Sequence, residues 1–323
     1  MTPEQFWKNF NMLDEVGISG AFIYNGLRRF YEMRVLEHTD ELFEFLYYLS
    51  VGLERLLKVA VVLLEHDDSI DIEEFEQSLI THTHEDLLRR VRQHADVKLS
   101  GIHNEFLTLL GTFYKRFRYN RFLASSAHSR DKEKEAILAF LSKHLDVELD
   151  TSNMFAVQNE ARFKRFVSKV VVKISSTLYS IVRDAAGAQG LYTYELRHES
   201  RAETVFLGGP DLPGEDVAWK ELIVYLMNTK DENGILNHMR SIEPLEFEPA
   251  DLQDYLECFG TAKMNSWVSD LVETRYDDIE GEEKANRLGM LSLIANPSVY
   301  FPIDEGEEDG DFEFESDEDG SET

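Results

Sequence analysis

The sequence predicts a mainly α-helical protein, and two observations support this prediction. The first is an apolar run, Glu41–Glu65, whose interior holds only four charged residues. A helix that is apolar on most of its circumference must be surrounded by other helices, so this run predicts a buried central helix. The second is that apolar residues recur at helical spacing in successive segments on both sides of it. Together they predict an α-helical bundle built around one long helix.

The central helix carries two further signals about its surroundings. At about 1.5 Å per residue it extends roughly 37 Å, enough to cross a whole domain. Its interior charges argue against a membrane span. Glu54 and Lys58 stand four residues apart in the favourable order, which predicts an ion pair between them. Gly52 weakens a helix and therefore predicts that a neighbouring helix passes close to it.

The remaining elements follow in chain order. Residues 1–150 are predicted to form a compact helical bundle, and residues 151–303 a second, mainly helical region. A Thr83-x-x-Asp86 capping box is predicted to open the helix after residue 83. Besides the central helix, the main predicted helices are Ile18–Leu36, Leu87–Val97, Ile102–Phe117, Glu133–Leu145, Arg162–Arg183, Asp216–Met227, Ala250–Phe259, Ser266–Ile279 and Glu283–Ile294.

Four segments in the second half of the chain differ from this helical pattern. Leu191–Leu196 and Ala202–Leu207 alternate in polarity, which predicts a small β-hairpin. Gly208–Gly214 is rich in glycine and proline and predicts a loop. Residues 304–323 hold twelve Asp and Glu and no Lys or Arg, and predict a disordered acidic tail.

Composition limits the classes of function. The formal net charge is −29, and residues 1–303 still carry about −17, so any nucleic-acid binding must depend on local basic patches. A single cysteine, Cys258, leaves no internal disulfide or cysteine zinc cage, as expected for a reducing compartment. With a polar N-terminus and no transmembrane run, the sequence predicts a soluble, cytoplasmic protein that does not enter a membrane.

No common catalytic motif is present. The chain contains no phosphate-binding P-loop, no dinucleotide-binding glycine motif, no H-E-x-x-H zinc motif and no G-x-S-x-G nucleophile motif. The cluster His82–Asp86 holds metal-ligand types, but the capping box already explains Thr83 and Asp86, and the two histidines diverge around a helix start. No metal, nucleotide or organic cofactor is therefore expected.

The most unusual segment is a basic-aromatic island. Between Gly111 and Arg130 there are five Lys or Arg, five aromatic residues and no acid. Single-stranded RNA suits such a mixture, because bases stack on aromatic rings while phosphates pair with cations. The alternative is that the aromatic residues belong to the core and the cations extend to solvent or pair with acids. The candidate RNA-binding residues are Lys115, Arg116, Arg118, Tyr119 and Arg130.

The first half resembles the HEPN superfamily of helical domains. The resemblance rests on LSVGLERLLK (49–58), THTHEDLL (81–88) and the R-x(6)-H pair formed by Arg121 and His128. In many HEPN proteins such a pair at a dimer interface forms a metal-independent ribonuclease site. The resemblance implies that His128 acts as general acid and base and that Arg121 stabilises the charged phosphorane.

A second pair, Arg89 and His94, also has the spacing of the HEPN motif. The basic-aromatic surroundings favour Arg121 and His128, although the position after Arg121, usually polar in that family, is Phe122. The sequence leaves open whether the chain is an enzyme.

Two functions from different classes follow from these observations. The first is a HEPN-like RNA-binding protein or endoribonuclease of a bacterial defence or toxin system, dimeric, with an acidic tail that competes with RNA for the basic face. The second is a non-enzymatic interaction module or regulatory subunit that binds a partner protein. Acidic mimicry of DNA is a weaker third, because the acids are densest in the tail.

Overall fold

The computed structural model describes residues 2–67, 69–81, 83–120, 122–124, 131–149, 156–191, 196, 200–259 and 266–301 of the 323-residue chain. These residues form α-helices joined by short π-helical and 3-10 turns, and no β-strand occurs among them. The predicted mainly α fold is confirmed. Contacts divide the chain into two units, Met1–Pro213 and Gly214–Thr323.

The first unit contains the long helices of the protein. They are connected by turns that include two π-helical segments, Trp7–Asn11 and Phe113–Phe117, and a third, Thr204–Gly208, follows the last short helix. In chain order the helices are α1 (Pro3–Phe6), α2 (Met12–Glu32), α3 (Thr39–Glu65), α4 (Ile72–Ser78), α5 (His84–His94), α6 (Gly101–Thr112), α7 (Arg118–Asn120), α8 (Lys132–Leu145), α9 (Ala161–Ala188) and α10 (Arg201–Glu203).

Helix α3 is the centre of the first unit, as its apolar sequence predicts. Sixteen of its 27 residues are buried. Helices α2, α5 and α9 pack around it, with smaller contributions from α6 and α8. The charges in the middle of α3 are paired: Lys58 Nζ lies 2.7 Å from Glu54 Oε1, which confirms the predicted pair, and Arg55 donates to Glu15 on α2.

The closest helix contact lies between α2 and α3. A Cβ placed on Gly52 would lie 2.8 Å from Ile23 Cγ1 and 3.1 Å from the backbone nitrogen of Ile23. A Cβ on Gly26 would lie 2.7 Å from Leu49 Cδ2. The hydroxyl of Ser19 donates to the carbonyl oxygen of Gly52 over 2.6 Å. The expectation that a neighbouring helix passes close to Gly52 is therefore confirmed.

Helix α9 belongs to the same core. Its buried face includes Phe163, Val170 and Ile174, whereas Phe166 is partly buried. The strand-like residues before α9 contact the end of α2, where the side chain of Asn159 donates to the carbonyl oxygen of Phe30 over 2.7 Å. Contacts thus place residues 156–213 with the first unit, whereas the boundary expected from the sequence lies at residue 150.

The predicted β-hairpin is wrong in its second strand. Residues of the segment Ala202–Leu207 lie in α10 and in the π-helical turn that follows it. Val205 and Phe206 are both buried although they are adjacent, which a strand with alternating faces does not allow. Phe206 packs on Tyr179 of α9, with ring centroids 5.0 Å apart. Residues 192–195 of the other predicted strand lie outside the described residues, as does the acidic tail, residues 304–323.

The second unit consists of shorter helices with few buried side chains. Leu236, Val268 and Tyr276 are the large apolar residues of its described part that are buried. The predicted loop Gly208–Gly214 is shorter than expected, because α11 already begins at Leu212. The helices are α11 (Leu212–Asn228), α12 (Gly234–Ser241), α13 (Leu252–Glu257), α14 (Ser266–Asp277) and α15 (Gly281–Leu291).

Helix α11 differs from the other helices in its exposure. Six of its large apolar side chains face solvent: Val217, Leu222, Val224, Tyr225, Leu226 and Met227. Over the described part of the chain, none of the helices combines the length and the apolar character that crossing a membrane requires.

Substituting Gly52 with alanine tests the contact between α2 and α3. Overpacking against the backbone of Ile23 costs roughly 1–3 kcal/mol, which exceeds the gain of about 1 kcal/mol from replacing glycine by alanine in a helix. We expect a lower free energy of unfolding, measured by denaturant titration followed by circular dichroism. Gly187→Ala on α9, where nothing lies within 4 Å of the added Cβ, is the control and should not destabilise the protein. Equal stability of Gly52→Ala and the native protein would contradict the prediction.

Candidate nucleic-acid interface

The structure describes part of the basic-aromatic island. Lys115, Arg116, Arg118 and Tyr119 lie in the segment that continues α6. The predicted catalytic residues Arg121 and His128, together with Arg130, lie outside the described residues, so their roles stay predictions.

A π-helical turn, Phe113–Phe117, joins α6 to α7 within this island. Such a turn carries one extra residue per turn and changes which side chains face the core, and it is often found at functional sites. Phe113 is fully buried, and its ring meets that of Phe43 edge-on at 5.2 Å. Phe117 is partly buried against the same core. For these two residues the core interpretation is correct.

The next residues face outward and form a stack. The guanidinium carbon of Arg118 lies 3.7 Å from the ring centroid of Tyr114 and 4.5 Å from that of Tyr119. Cation–π attraction of this kind fixes the guanidinium plane. Tyr119 is 53% exposed and Phe122 is 84% exposed, so aromatic surface remains accessible beside the cation.

Tyr114 connects this stack to the central helix. Its ring stacks on Tyr47 of α3 with centroids 6.2 Å apart, and Tyr47 stacks on Phe43 at 6.1 Å. Rings at such separations attract each other when they are offset. We call the series Phe43, Tyr47, Tyr114, Arg118 and Tyr119 the aromatic ladder, because it leads from the core to the surface.

Lys115 takes a different partner from the one that an acid-rich chain suggests. Its ammonium donates to the hydroxyl of Thr83, and neither Lys115 nor Arg118 forms an ion pair with any described residue. The predicted capping box is wrong, because Thr83 is the N-cap of α5 but its side chain makes no capping bond. The carboxylate of Asp86 instead accepts from Arg89. The hydroxyl of Thr83 thus serves Lys115 rather than the helix start.

His84 lies directly beneath this surface. It is fully buried, and its Nε2 donates to the carbonyl oxygen of Ser50 on α3 over 2.9 Å. Burial lowers the pKa of His84, because a charged imidazolium would lose its hydration, and Lys115 lowers it further. The hydrogen bond to Ser50, followed by the carboxylates of Glu54 and Glu85, opposes this shift of the pKa without cancelling it. A neutral His84 therefore ties α5 to α3.

The metal interpretation of His82–Asp86 gains no geometric support. His82 lies outside the described residues, and His84 and Asp86 are engaged with Ser50 and Arg89. Within the described ranges, no three metal-ligating side chains come together as a metal ion requires.

The other candidate pair, Arg89 and His94, does not converge. The two residues lie five positions apart on α5, so their side chains point about 140° apart around the helix. Arg89 pairs with Asp86, and Nε2 of His94 lies 3.8 Å from Glu65. The geometry therefore disfavours this pair as a joint catalytic site.

Sequence reasoning missed Tyr47 and Thr83. Tyr47 lies in the apolar run of α3, where an aromatic residue is expected to serve the core, and it is far from the island in sequence. Its one signal is the pair of adjacent tyrosines at positions 47 and 48 in this mainly apolar run. The capping-box pattern at Thr83 gives no sign of the contact between its hydroxyl and Lys115.

Acidification should destabilise the first unit through His84. A histidine in an unfolded chain has a pKa of about 6.5. Because the folded value is lower, the unfolded chain binds the extra proton first. Stability is therefore complete above about pH 6.5 and falls below it by up to about 1.4 kcal/mol per pH unit, until the folded pKa is reached.

Urea titrations at about pH 7.5 and about pH 5.5 measure this effect. The native protein and His94→Gln, an exposed histidine on the same helix, should both lose stability between the two conditions. His84→Gln should be less stable at the higher pH but should lose less on acidification. A native-like pH dependence in His84→Gln would exclude His84 as the cause.

Comparisons of this chain with protein-family models, with curated proteins and with solved structures found no match. Nothing in them bears on the HEPN-like relationship, which stays a prediction from the sequence. What this surface can bind is therefore inferred from its own residues.

Proposed function

We propose that this protein binds single-stranded RNA through the surface formed by Tyr114, Lys115, Arg116, Arg118 and Tyr119. The observation that carries the proposal is the guanidinium of Arg118 held between two tyrosine rings, one of them more than half exposed. Bases in single strands stack both on aromatic rings and on guanidinium planes, and this stacking tolerates any sequence.

The cations beside the stack would contact the phosphate backbone. Lys115 and Arg116 are exposed, and the hydroxyl of Thr83 orients the ammonium of Lys115. A base on Tyr119 and a phosphate at these cations are the two contacts that most single-strand-binding surfaces combine.

The acidic body restricts where RNA can bind. The chain carries a formal net charge of −29, which repels a polyanion at long range. At about 0.15 M salt, charges more than about 8 Å apart are largely screened, so a local basic patch can act independently of the distant acids. We therefore expect weak binding. The affinity for RNA should rise as the salt concentration is lowered, until repulsion between the RNA and the net negative charge of the chain outweighs the local attraction.

Substitutions in the stack should weaken RNA binding. For Tyr119→Ala we expect a loss of about 1–3 kcal/mol in binding free energy, which is roughly 5- to 150-fold in Kd, because one stacking surface is removed. For Lys115→Ala we expect a smaller loss of binding free energy. The slope of log K against the logarithm of the salt concentration should also become shallower by about 0.7, because one phosphate contact is lost. Fluorescence anisotropy with a labelled single-stranded oligoribonucleotide measures both quantities.

Two variants elsewhere control for general effects. Tyr300→Ala removes a ring that is 82% exposed, and Arg89→Ala removes an exposed cation on α5. Neither should change RNA affinity by more than about twofold if binding is local. Absence of RNA binding by the native protein at low salt, or equal losses in the control variants, would reject the proposal.

We further propose that bound RNA is cleaved by Arg121 and His128, as the resemblance to HEPN ribonucleases implies. The 2′-hydroxyl of the RNA attacks the adjacent phosphate, His128 accepts the hydroxyl proton and a proton is returned to the leaving 5′-oxygen, and Arg121 stabilises the phosphorane. This chemistry requires no metal ion. A role in bacterial defence or toxicity, and a dimer that forms the site, belong to the same proposal.

His128→Ala and Arg121→Ala should abolish cleavage of a labelled oligoribonucleotide while reducing its binding much less than Tyr119→Ala does. Cleavage by the native protein should persist in EDTA and should yield a 2′,3′-cyclic phosphate end. Unchanged cleavage in His128→Ala, or strict dependence on an added metal, would remove this assignment and leave the binding proposal intact.

One observation favours the alternative, a non-enzymatic interaction module. The exposed apolar side chains of α11 exceed what isolated surface residues require. If RNA binding fails and α11 mediates stoichiometric association with a protein subunit, a regulatory subunit is the better account of this chain.

A further inference from the structure

A groove with a volume of about 550 Å³ lies between α2 and α9, within the first unit. Small-molecule sites in proteins have volumes of roughly 300–1,000 Å³, so a ligand of that class would fit. The apolar part of the lining comes from Leu27, Phe30 and Tyr31 of α2 and from Pro210 and Leu212, which follow the last π-helical turn. The groove shares no residue with the proposed RNA-binding surface, so a ligand here does not depend on RNA binding.

One wall of this α2–α9 groove is packed directly on α9. Gly209 has a φ of +71°, and a Cβ at this position would lie 2.7 Å from Cγ2 of Val172 on α9. Both observations favour glycine here, because a side chain would be strained and would push the turn away from the helix. The ring of Pro210 then fixes the next φ of the wall. The fold itself therefore forms the groove, as is usual for small-molecule sites.

The polar part of the lining is cationic. Lys164, Arg165 and Lys169 of α9 contribute to it, and no acid is among the described residues that line the groove. The ammonium of Lys164 is already engaged, 5.1 Å from the ring centroid of Tyr31, so no contact with a ligand is assigned to it. Nε of Arg165 donates to the carbonyl oxygen of Ala161 over 3.3 Å. Neither Arg165 nor Lys169 forms an ion pair with any residue that the structure describes.

Arg165 and Lys169 are a pair of like charges at close spacing. They stand four residues apart on α9 and therefore lie side by side on its surface, where they repel each other. The chain has 62 acids against 33 Lys and Arg, and Arg162, three residues before Arg165, does pair with an acid, Glu160. An anion bound between Arg165 and Lys169 would relieve their repulsion. The terminal nitrogens of a guanidinium suit a carboxylate, which can accept two parallel hydrogen bonds from them.

We propose that the α2–α9 groove binds a small amphiphilic carboxylate, such as a fatty acid of medium chain length. Its apolar chain would lie against Leu27, Phe30 and Tyr31, and its carboxylate between Arg165 and Lys169. A neutral apolar molecule would leave the two cations without a counter-charge, and an inorganic anion would leave the apolar lining uncovered. A ligand that carries both groups matches the whole groove.

Isothermal titration calorimetry of the full-length chain with sodium decanoate, kept below the concentration at which it forms micelles, tests the proposal. We expect saturable binding of one decanoate per chain. Sodium acetate, which has the carboxylate without the chain, should not bind detectably. Decyltrimethylammonium has a chain of the same length and the opposite charge, and it should bind more weakly than decanoate. This comparison is stringent, because the net charge of −29 favours a cationic amphiphile over most of the surface.

Variants locate the bound decanoate. In Arg165→Ala/Lys169→Ala the Kd for decanoate should rise at least about tenfold, because charge-assisted hydrogen bonds to the carboxylate are lost. Arg162→Ala, which removes a paired cation of the same helix, is the matched control and should leave the Kd unchanged. Ser168→Trp places a large ring at a position that lines the groove and should abolish binding.

A further variant controls for apolar surface elsewhere. Leu222→Ser/Leu226→Ser removes two exposed apolar side chains of α11 and should not change the Kd for decanoate. Circular dichroism verifies that each variant is folded. If Ser168→Trp does not fold, the pair Arg165 and Lys169, which is exposed, decides the question.

Four outcomes would overturn the proposal. The first is that the native protein shows no saturable binding of decanoate. The second is that acetate or decyltrimethylammonium binds as tightly as decanoate, which would mean that only one part of the ligand is recognised or that binding is non-specific. The third is that Arg162→Ala weakens binding as much as Arg165→Ala/Lys169→Ala does. The fourth is that the α11 variant loses binding whereas Arg165→Ala/Lys169→Ala retains it, which would place decanoate on α11.

Discussion

The first unit depends on the close approach of α2 and α3 at Gly52 and Gly26. With side chains of ordinary size at these positions, the two helices would separate, since a Cβ on Gly52 would meet the backbone of Ile23. Close contact allows α3 to be enclosed by α2 on one side and by α5 and α9 on others. Interiors are packed too densely to absorb even one extra methyl group without movement. The aromatic ladder begins on α3, one of the two helices that this contact holds together.

The sequence predicts those parts of the fold that depend on local pattern. The apolar run of α3, the pair Glu54–Lys58 and the close neighbour of Gly52 follow from spacing alone, and the structure confirms all three. The β-hairpin prediction fails because Val205 and Phe206 are both buried by contacts with distant helices, which override local alternation. The capping box fails for a similar reason, since the hydroxyl of Thr83 has a partner 32 residues away in Lys115.

The candidate site is predictable to a more limited degree. Composition identifies the basic-aromatic island, but it does not reveal which of its rings serve the core. The π-helical turn makes that division, burying Phe113 while Tyr119 remains exposed. A turn of this kind has no reliable sequence signal. Tyr47 joins the site through tertiary packing between α3 and the segment that follows α6, which the sequence does not show.

The aromatic ladder has a consequence for the thermodynamics of binding. Surface side chains normally lose rotamer freedom when they immobilise a ligand, which reduces affinity by about 0.5–1.5 kcal/mol for each ordered side chain. Arg118 is already held between two rings, and Tyr114 is stacked on a residue of the central helix. These side chains therefore lose their conformational entropy when the protein folds and not when a ligand binds. A ligand that stacks here meets a rigid platform whose order is sustained by the stability of the hydrophobic core.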